Sequence, residues 1–136
     1  MFLAMLRGKI HRATVTGTNL EYVGSITVDE ALLEAADILP GERVQVFNLN
    51  NGERFETYTL SGTRDSGVVC LNGPAARLAQ PGDKVIVIAY AFVPYQEARG
   101  FRPRIVVVDE KNKPVEVRRG DSYGTTEETA RETSPY

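Results

Sequence analysis

Hydrophobic residues along this chain fall into short stretches rich in Val, Ile, Leu, Tyr and Phe, punctuated at close intervals by Gly, Pro, Asn and Asp. Runs of this length and composition predict strands, here over Lys9–Val15, Leu20–Val28, Val44–Asn48, Arg54–Ser61, Val68–Asn72, Lys84–Val93 and Arg104–Asp109. Between Val44–Asn48 and Arg54–Ser61 stands Asn50-Asn51-Gly52, a tight-turn signal that predicts a hairpin. The period becomes helical in only two places. Leu32, Leu33 and Ala36 share one helical face after Asp29, an N-cap residue, and the segment should stop at Pro40-Gly41. A second short helix is expected after Asn72-Gly73-Pro74, through Ala75 to Ala79, with the proline in its first turn. The pattern therefore predicts one mainly β, barrel-like domain over residues 1–117 with short helices. From Lys111 onward charged and small polar residues displace the hydrophobic ones, so 118–136 is expected to be a flexible tail.

Composition narrows the classes of function. A formal net charge of -2 excludes a general phosphate-backbone binder, which needs excess Lys and Arg to displace counterions, so nucleic acid is not an expected partner. Cys70 is the only cysteine and His11 the only histidine, which rules out an intrachain disulfide and disfavours a metal site. Val68-Val69-Cys70-Leu71 reads as a buried strand, and a reduced, cytoplasmic setting fits a single thiol. The opening MFLAMLRGKI is too short an apolar run for a signal-peptide core, and no later run approaches a membrane span, so a soluble protein with no membrane partner is expected. A barrel of 136 residues has little room for a deep cleft, and a neighbouring subunit is expected to complete any active site.

The residues that can carry chemistry are scattered. Gly24-Ser25, taken alone, is an ordinary bend. Arg54 can grip a carboxylate with a planar fork, and Lys9 adds a flexible cation. Strand alternation sets Arg54 and Tyr58 on one face, about 13 Å apart along the backbone, and Lys9 and His11 on another. Thr57 falls on the face opposite Tyr58.

Together, Lys9-Ile10-His11-Arg12, Tyr22-Val23-Gly24-Ser25, Asn51-Gly52-Glu53-Arg54, Thr57-Tyr58 and Asn72-Gly73 give a more specific signal. In this order and at these spacings the chain resembles the precursors of the pyruvoyl-dependent aspartate decarboxylases, from about Met1 to Asp109. The resemblance implies a double-psi β-barrel assembled as a homotetramer with active sites at subunit interfaces. It also implies decarboxylation of L-aspartate to β-alanine and CO2, in the route to pantothenate and coenzyme A.

In such a precursor the Ser25 hydroxyl attacks the Gly24 carbonyl, and the peptide bond becomes an ester. Elimination then releases the fragment ending at Gly24, and hydrolysis of the dehydroalanine left at residue 25 gives a pyruvoyl group and ammonia. Its ketone forms a Schiff base with the substrate amine and serves as electron sink in place of pyridoxal phosphate, with no metal. The resemblance makes Tyr58 the proton donor, since a phenol holds its proton at neutral pH. It assigns Lys9, Arg54, Thr57 and Asn72 to substrate binding, with backbone N–H groups around Gly73, Ala75 and Ala76 facing an anion. Pro74 has no N–H to offer where many family members carry Ala. Thr57, His11 and Tyr22 would support cleavage, which for Thr57 requires a twist or bulge to turn its hydroxyl toward Gly24. An accessory maturation protein is compatible with this scheme. Two other readings remain open: a noncatalytic barrel that stays uncut, and a cleaved chain using an unconverted N-terminal serine as a hydrolytic nucleophile.

Overall fold

A computed structural model describes residues Met1 to Arg119. Nine strands form one hydrogen-bonded order, mainly β with short helices as the pattern predicts. They are β1 (Phe2–Thr14), β2 (Gly17–Asn19), β3 (Ser25–Asp29), β4 (Arg43–Asn48), β5 (Arg54–Gly62), β6 (Val69–Asn72), β7 (Lys84–Pro94), β8 (Arg104–Val108) and β9 (Pro114–Arg119). The spatial order is β2-β6-β3-β5-β4-β7-β1-β8-β9. No continuous ladder joins the two edges, but the sheet curls on itself. Thr16 N donates to Val69 O at 2.8 Å, and Asn112 Nδ2 donates to both Thr14 O and Gly67 O at 2.8 Å.

Alternating side chains fill the interior. Ile10, Ile26, Val28, Val44, Val46, Leu71, Val85 and Val87 are buried, and Leu32, Leu33 and Ala36 of α1 (Glu30–Ala36) seal one side. Asp29 caps α1 by accepting from Ala31 N at 2.8 Å, as expected. The helix ends earlier than Pro40, because Asp37 turns left-handed at φ 58° and its N–H bonds back to Glu34 O and Leu33 O. The β4–β5 hairpin is also as expected. Asn48 Oδ1 accepts from Asn50 N at 2.8 Å, Gly52 has φ +78°, and Phe47 pairs with Arg54.

Four expectations need correction. The strand expected over Leu20–Val28 is broken, since Asn19 Oδ1 accepts from Glu21 N at 3.2 Å and Tyr22 N donates to Asn19 O; this Asx turn leaves Leu20, Tyr22 and Val23 exposed and delays β3 to Ser25. The first strand begins at Phe2, because β7 is long enough to pair with it from Pro94 down to Lys84. The boundary at 117/118 falls inside β9, where Arg118 pairs with Ile105 and Arg119 with Arg104; backbone pairing holds this edge strand although its Val115 and Val117 stay exposed. The rest of the expected tail, 120–136, lies outside the described residues. Cys70 is half-buried, between buried Val69 and Leu71.

Candidate active site

Ser25 opens β3, with β6 antiparallel on one side and β5 parallel on the other. Its side chain is fully buried and lies at a branch point of hydrogen bonds. The hydroxyl donates to Val23 O at 2.9 Å and accepts from Asn72 Nδ2 at 2.9 Å. The second hydrogen of the same amide goes to Thr27 Oγ1 at 3.0 Å, while Asn72 Oδ1 accepts from Cys70 Sγ at 3.4 Å. Strand geometry explains the cluster: Ser25 pairs with Asn72 and Thr27 with Cys70, so all four side chains rise from one face of the β3–β6 ladder.

The backbone just before Ser25 is packed against the turn after β6. Gly73, at φ +64°, starts a 3₁₀ turn (Gly73–Arg77) in place of the expected Ala75–Ala79 helix. A Cβ on Gly73 would lie 2.8 Å from Gly24 Cα and 3.1 Å from Tyr22 O, so this contact admits no side chain. A Cβ on Gly24 would stand 3.4 Å from Pro74 Cδ. Gly24 thus lies against the Gly73-Pro74 bend, next to a hydroxyl held in place by Asn72.

Register brings β5 to the same spot. The parallel pairing of β3 with β5 begins at Ile26↔Thr59. Continued back beyond the ladder, this register would set Ser25 level with Tyr58 and Gly24 level with Thr57. Tyr58 is half-exposed on the same outward face as Arg54, with Thr57 half-buried on the other. The bulge expected for Thr57 is absent: β5 pairs with β4 residue for residue from Arg54 to Tyr58.

The cationic residues come from other places in the strand order. Lys9 pairs with Ile88 and Ile105 on β1, which β5, β4 and β7 separate from β3. Arg54 is exposed at the start of β5, its guanidinium carbon 4.5 Å from the centroid of the Phe47 ring. His11 is buried where β1 bulges: between Ile10↔Val87 and Ala13↔Val85, two β1 residues face one of β7, and Arg12 has φ 65°. Tyr22 is exposed, Ala75 buried and Ala76 half-buried in the 3₁₀ turn. Two open grooves, of about 260 Å³ beside Arg43 and Tyr90 and about 440 Å³ beside α1, are not lined by Ser25.

Thr27 and Cys70 were not singled out from the sequence, although both carry a signal. Each lies two residues from a site residue along a strand, Ser25 and Asn72 respectively, and so shares its face. Burial raises the pKa of the Cys70 thiol, which keeps it protonated and able to donate. Among the described residues no group of three or more His, Cys, Asp or Glu could hold a metal ion, and no helix is long and apolar enough to cross a membrane.

Comparison with known proteins identifies the family. A family model described as aspartate decarboxylase matches residues 1–115. Three relatives carry the name aspartate 1-decarboxylase. The protein of Pelotomaculum thermopropionicum is 65% identical over 91% of this chain and 94% of its own length. That of Carboxydothermus hydrogenoformans is 60% identical over 93% of this chain and 100% of its own, and that of Acetivibrio thermocellus 55% identical over 91% and 98%. With a model match over most of its length and relatives matched nearly end to end, the chain belongs to the aspartate decarboxylase family.

Proposed function

We propose that the chain is the self-processing precursor of an aspartate 1-decarboxylase that makes its own pyruvoyl group from Ser25. The enzyme releases CO2 from L-aspartate and leaves β-alanine, the activity its family and relatives carry. The observation that carries the self-processing reading is the setting of Ser25: a buried hydroxyl, fixed by Asn72, directly follows a glycine pressed against Gly73.

Each residue has a definable task in cleavage. The Asn72 N–H aimed at Ser25 Oγ stabilises negative charge as the hydroxyl loses its proton. Gly24 presents a carbonyl carbon without a side chain to shield it. Thr57, which the β3–β5 register continued back would bring level with Gly24, would donate to that carbonyl oxygen as it becomes an oxyanion. Attack by Oγ forms the ester and frees the amine of residue 25; elimination releases the carboxylate of Gly24, and water replaces nitrogen to leave the ketone.

The cluster also fits the group so formed, since the Asn72 donor faces residue 25. Once made, the pyruvoyl group supplies an electron sink for the electrons that CO2 leaves behind. Tyr58, level with residue 25 and half-exposed, returns a proton to the α-carbon. Arg54 and Lys9 hold the two carboxylates of the substrate. A homotetramer whose active sites lie between subunits would let a neighbouring chain complete the site of so small a barrel. Exposed Phe2, Phe92, Tyr95 and Leu39 offer apolar surface for such contacts. A cytoplasmic enzyme serving pantothenate synthesis, with no nucleic-acid or membrane partner, fits the charge and the single thiol.

The test is to incubate purified, processed protein with L-aspartate and follow β-alanine and CO2. Both should appear in equal amounts; processed protein that makes neither would overturn the assignment.

A further inference from the structure

We infer that Thr27 and Cys70 are positioning residues for the reaction, because together they fix which end of the Asn72 amide faces residue 25. The inference rests on the role given to Ser25 above.

The argument starts from a choice that any asparagine faces. Its amide has a donor end and an acceptor end of nearly the same shape, so rotation by half a turn exchanges them, and only neighbours decide which end points where. At Ser25 the choice has chemical weight: a donor stabilises negative charge on the oxygen of residue 25, and an acceptor repels it.

The neighbours here give one answer. The Ser25 proton is committed to Val23 O, so the amide atom facing Ser25 must donate. Thr27 Oγ1 accepts the second N–H at 3.0 Å, and the Cys70 thiol donates to Oδ1 at 3.4 Å. All the bonds then run in one direction, from Cys70 through Asn72 to Ser25 and on to Val23. Reversal would leave Nδ2 facing the Cys70 sulfur, a weak acceptor, and Oδ1 facing Ser25 and Thr27, so that the Ser25 proton would have to leave Val23 O and Thr27 would have to turn from acceptor to donor. Asn72 is buried, so water cannot readily repair such a mismatch. The thiol suits its position because burial keeps it protonated.

A merely structural role for Thr27 and Cys70 would act whether or not Asn72 is present. A role exercised through the amide would not. The experiment is a set of double-mutant cycles read on two rates: cleavage at Gly24-Ser25 by intact mass, and β-alanine formation per chain. Thr27→Val and Cys70→Ala are each expected to slow at least one rate about three- to tenfold, the loss of roughly one buried hydrogen bond. Thr27→Ser and Cys70→Ser, which keep a hydroxyl, should restore it. In an Asn72→Ala background neither Thr27→Val nor Cys70→Ala should cause further loss.

Equal losses with and without Asn72, no rescue by serine, or an Asn72→Ala protein unchanged in both rates would each overturn the inference. The self-cleavage reading fails on a different observation, an intact chain that still decarboxylates aspartate. The cycles would then be read on turnover alone and would still decide.

Discussion

Asn72 Nδ2 lies 2.9 Å from Ser25 Oγ, and the Ser25 hydroxyl in turn donates a hydrogen bond to the carbonyl of Val23, also at 2.9 Å. The buried serine therefore has a fixed oxygen with a donor on one side. Ser25→Ala removes that oxygen and should abolish both cleavage and decarboxylation. Mass spectrometry and a β-alanine assay on the same sample check this; cleavage at the normal rate in Ser25→Ala would exclude the hydroxyl as nucleophile.

Asn72→Asp keeps the shape of the side chain and replaces the donor with an acceptor. Cleavage should slow more than in Asn72→Ala, because a carboxylate beside Ser25 Oγ opposes the charge that develops there. A time course of fragment appearance for the two variants gives the order directly.

Gly73→Ala tests the close contact at the cleavage site. The added methyl would meet Gly24 Cα at 2.8 Å on a backbone with φ +64°, so the bend must shift. A stability loss of about 1–3 kcal/mol is expected from strain and crowding, accompanied by slower cleavage. Thermal melting and intact mass measure the two effects.

Tyr58→Phe should separate maturation from turnover. The substitution keeps the ring and removes only the hydroxyl, so cleavage should proceed nearly as in the parent chain. Product formation should fall by roughly 10²–10⁴-fold if the phenol delivers the proton. Unchanged turnover would remove Tyr58 from that role.

Asp29 ties the fold together near the site and sets an acid limit. Burial alone would raise its pKa, but N–H donors from Gly67, Ala31 and Asp65, with Lys113 nearby, outweigh this and hold the carboxyl below its ordinary value of 3.8. A depressed folded pKa means that Asp29 contributes its full stability above 3.8 and loses it as pH falls through the lower, folded value. Asp29→Ala should cost about 1–2 kcal/mol near neutral pH, and the gap from the parent should close below that range. Denaturant melts from neutral to strongly acid pH would show it.

Much of the fold and site can be read from the sequence because local chemistry and final structure agree there. Asn50-Asn51-Gly52 makes its hairpin, Asp29 caps its helix, and Gly24-Ser25 and Asn72-Gly73 meet across two strands. Features that depend on partners elsewhere are harder to see. Asn19 ends β2 with its side chain, although Leu20, Tyr22 and Val23 look like strand residues. β9 is held by its backbone against β8, so Glu116, Arg118 and Arg119 conceal it. Thr27 and Cys70 gain meaning only once Asn72 is placed between them. That β5, β4 and β7 stand between β3 and β1 is a matter of strand order, which no local pattern encodes.

The central claim is that residue 25 is converted, and intact mass of the purified protein after prolonged incubation tests it most directly. The account predicts two fragments, one ending at Gly24 and one running from residue 25 to Tyr136, the larger lighter by one ammonia than a chain beginning with serine. A larger fragment with the full serine mass, or an uncut chain that already decarboxylates aspartate, would contradict it.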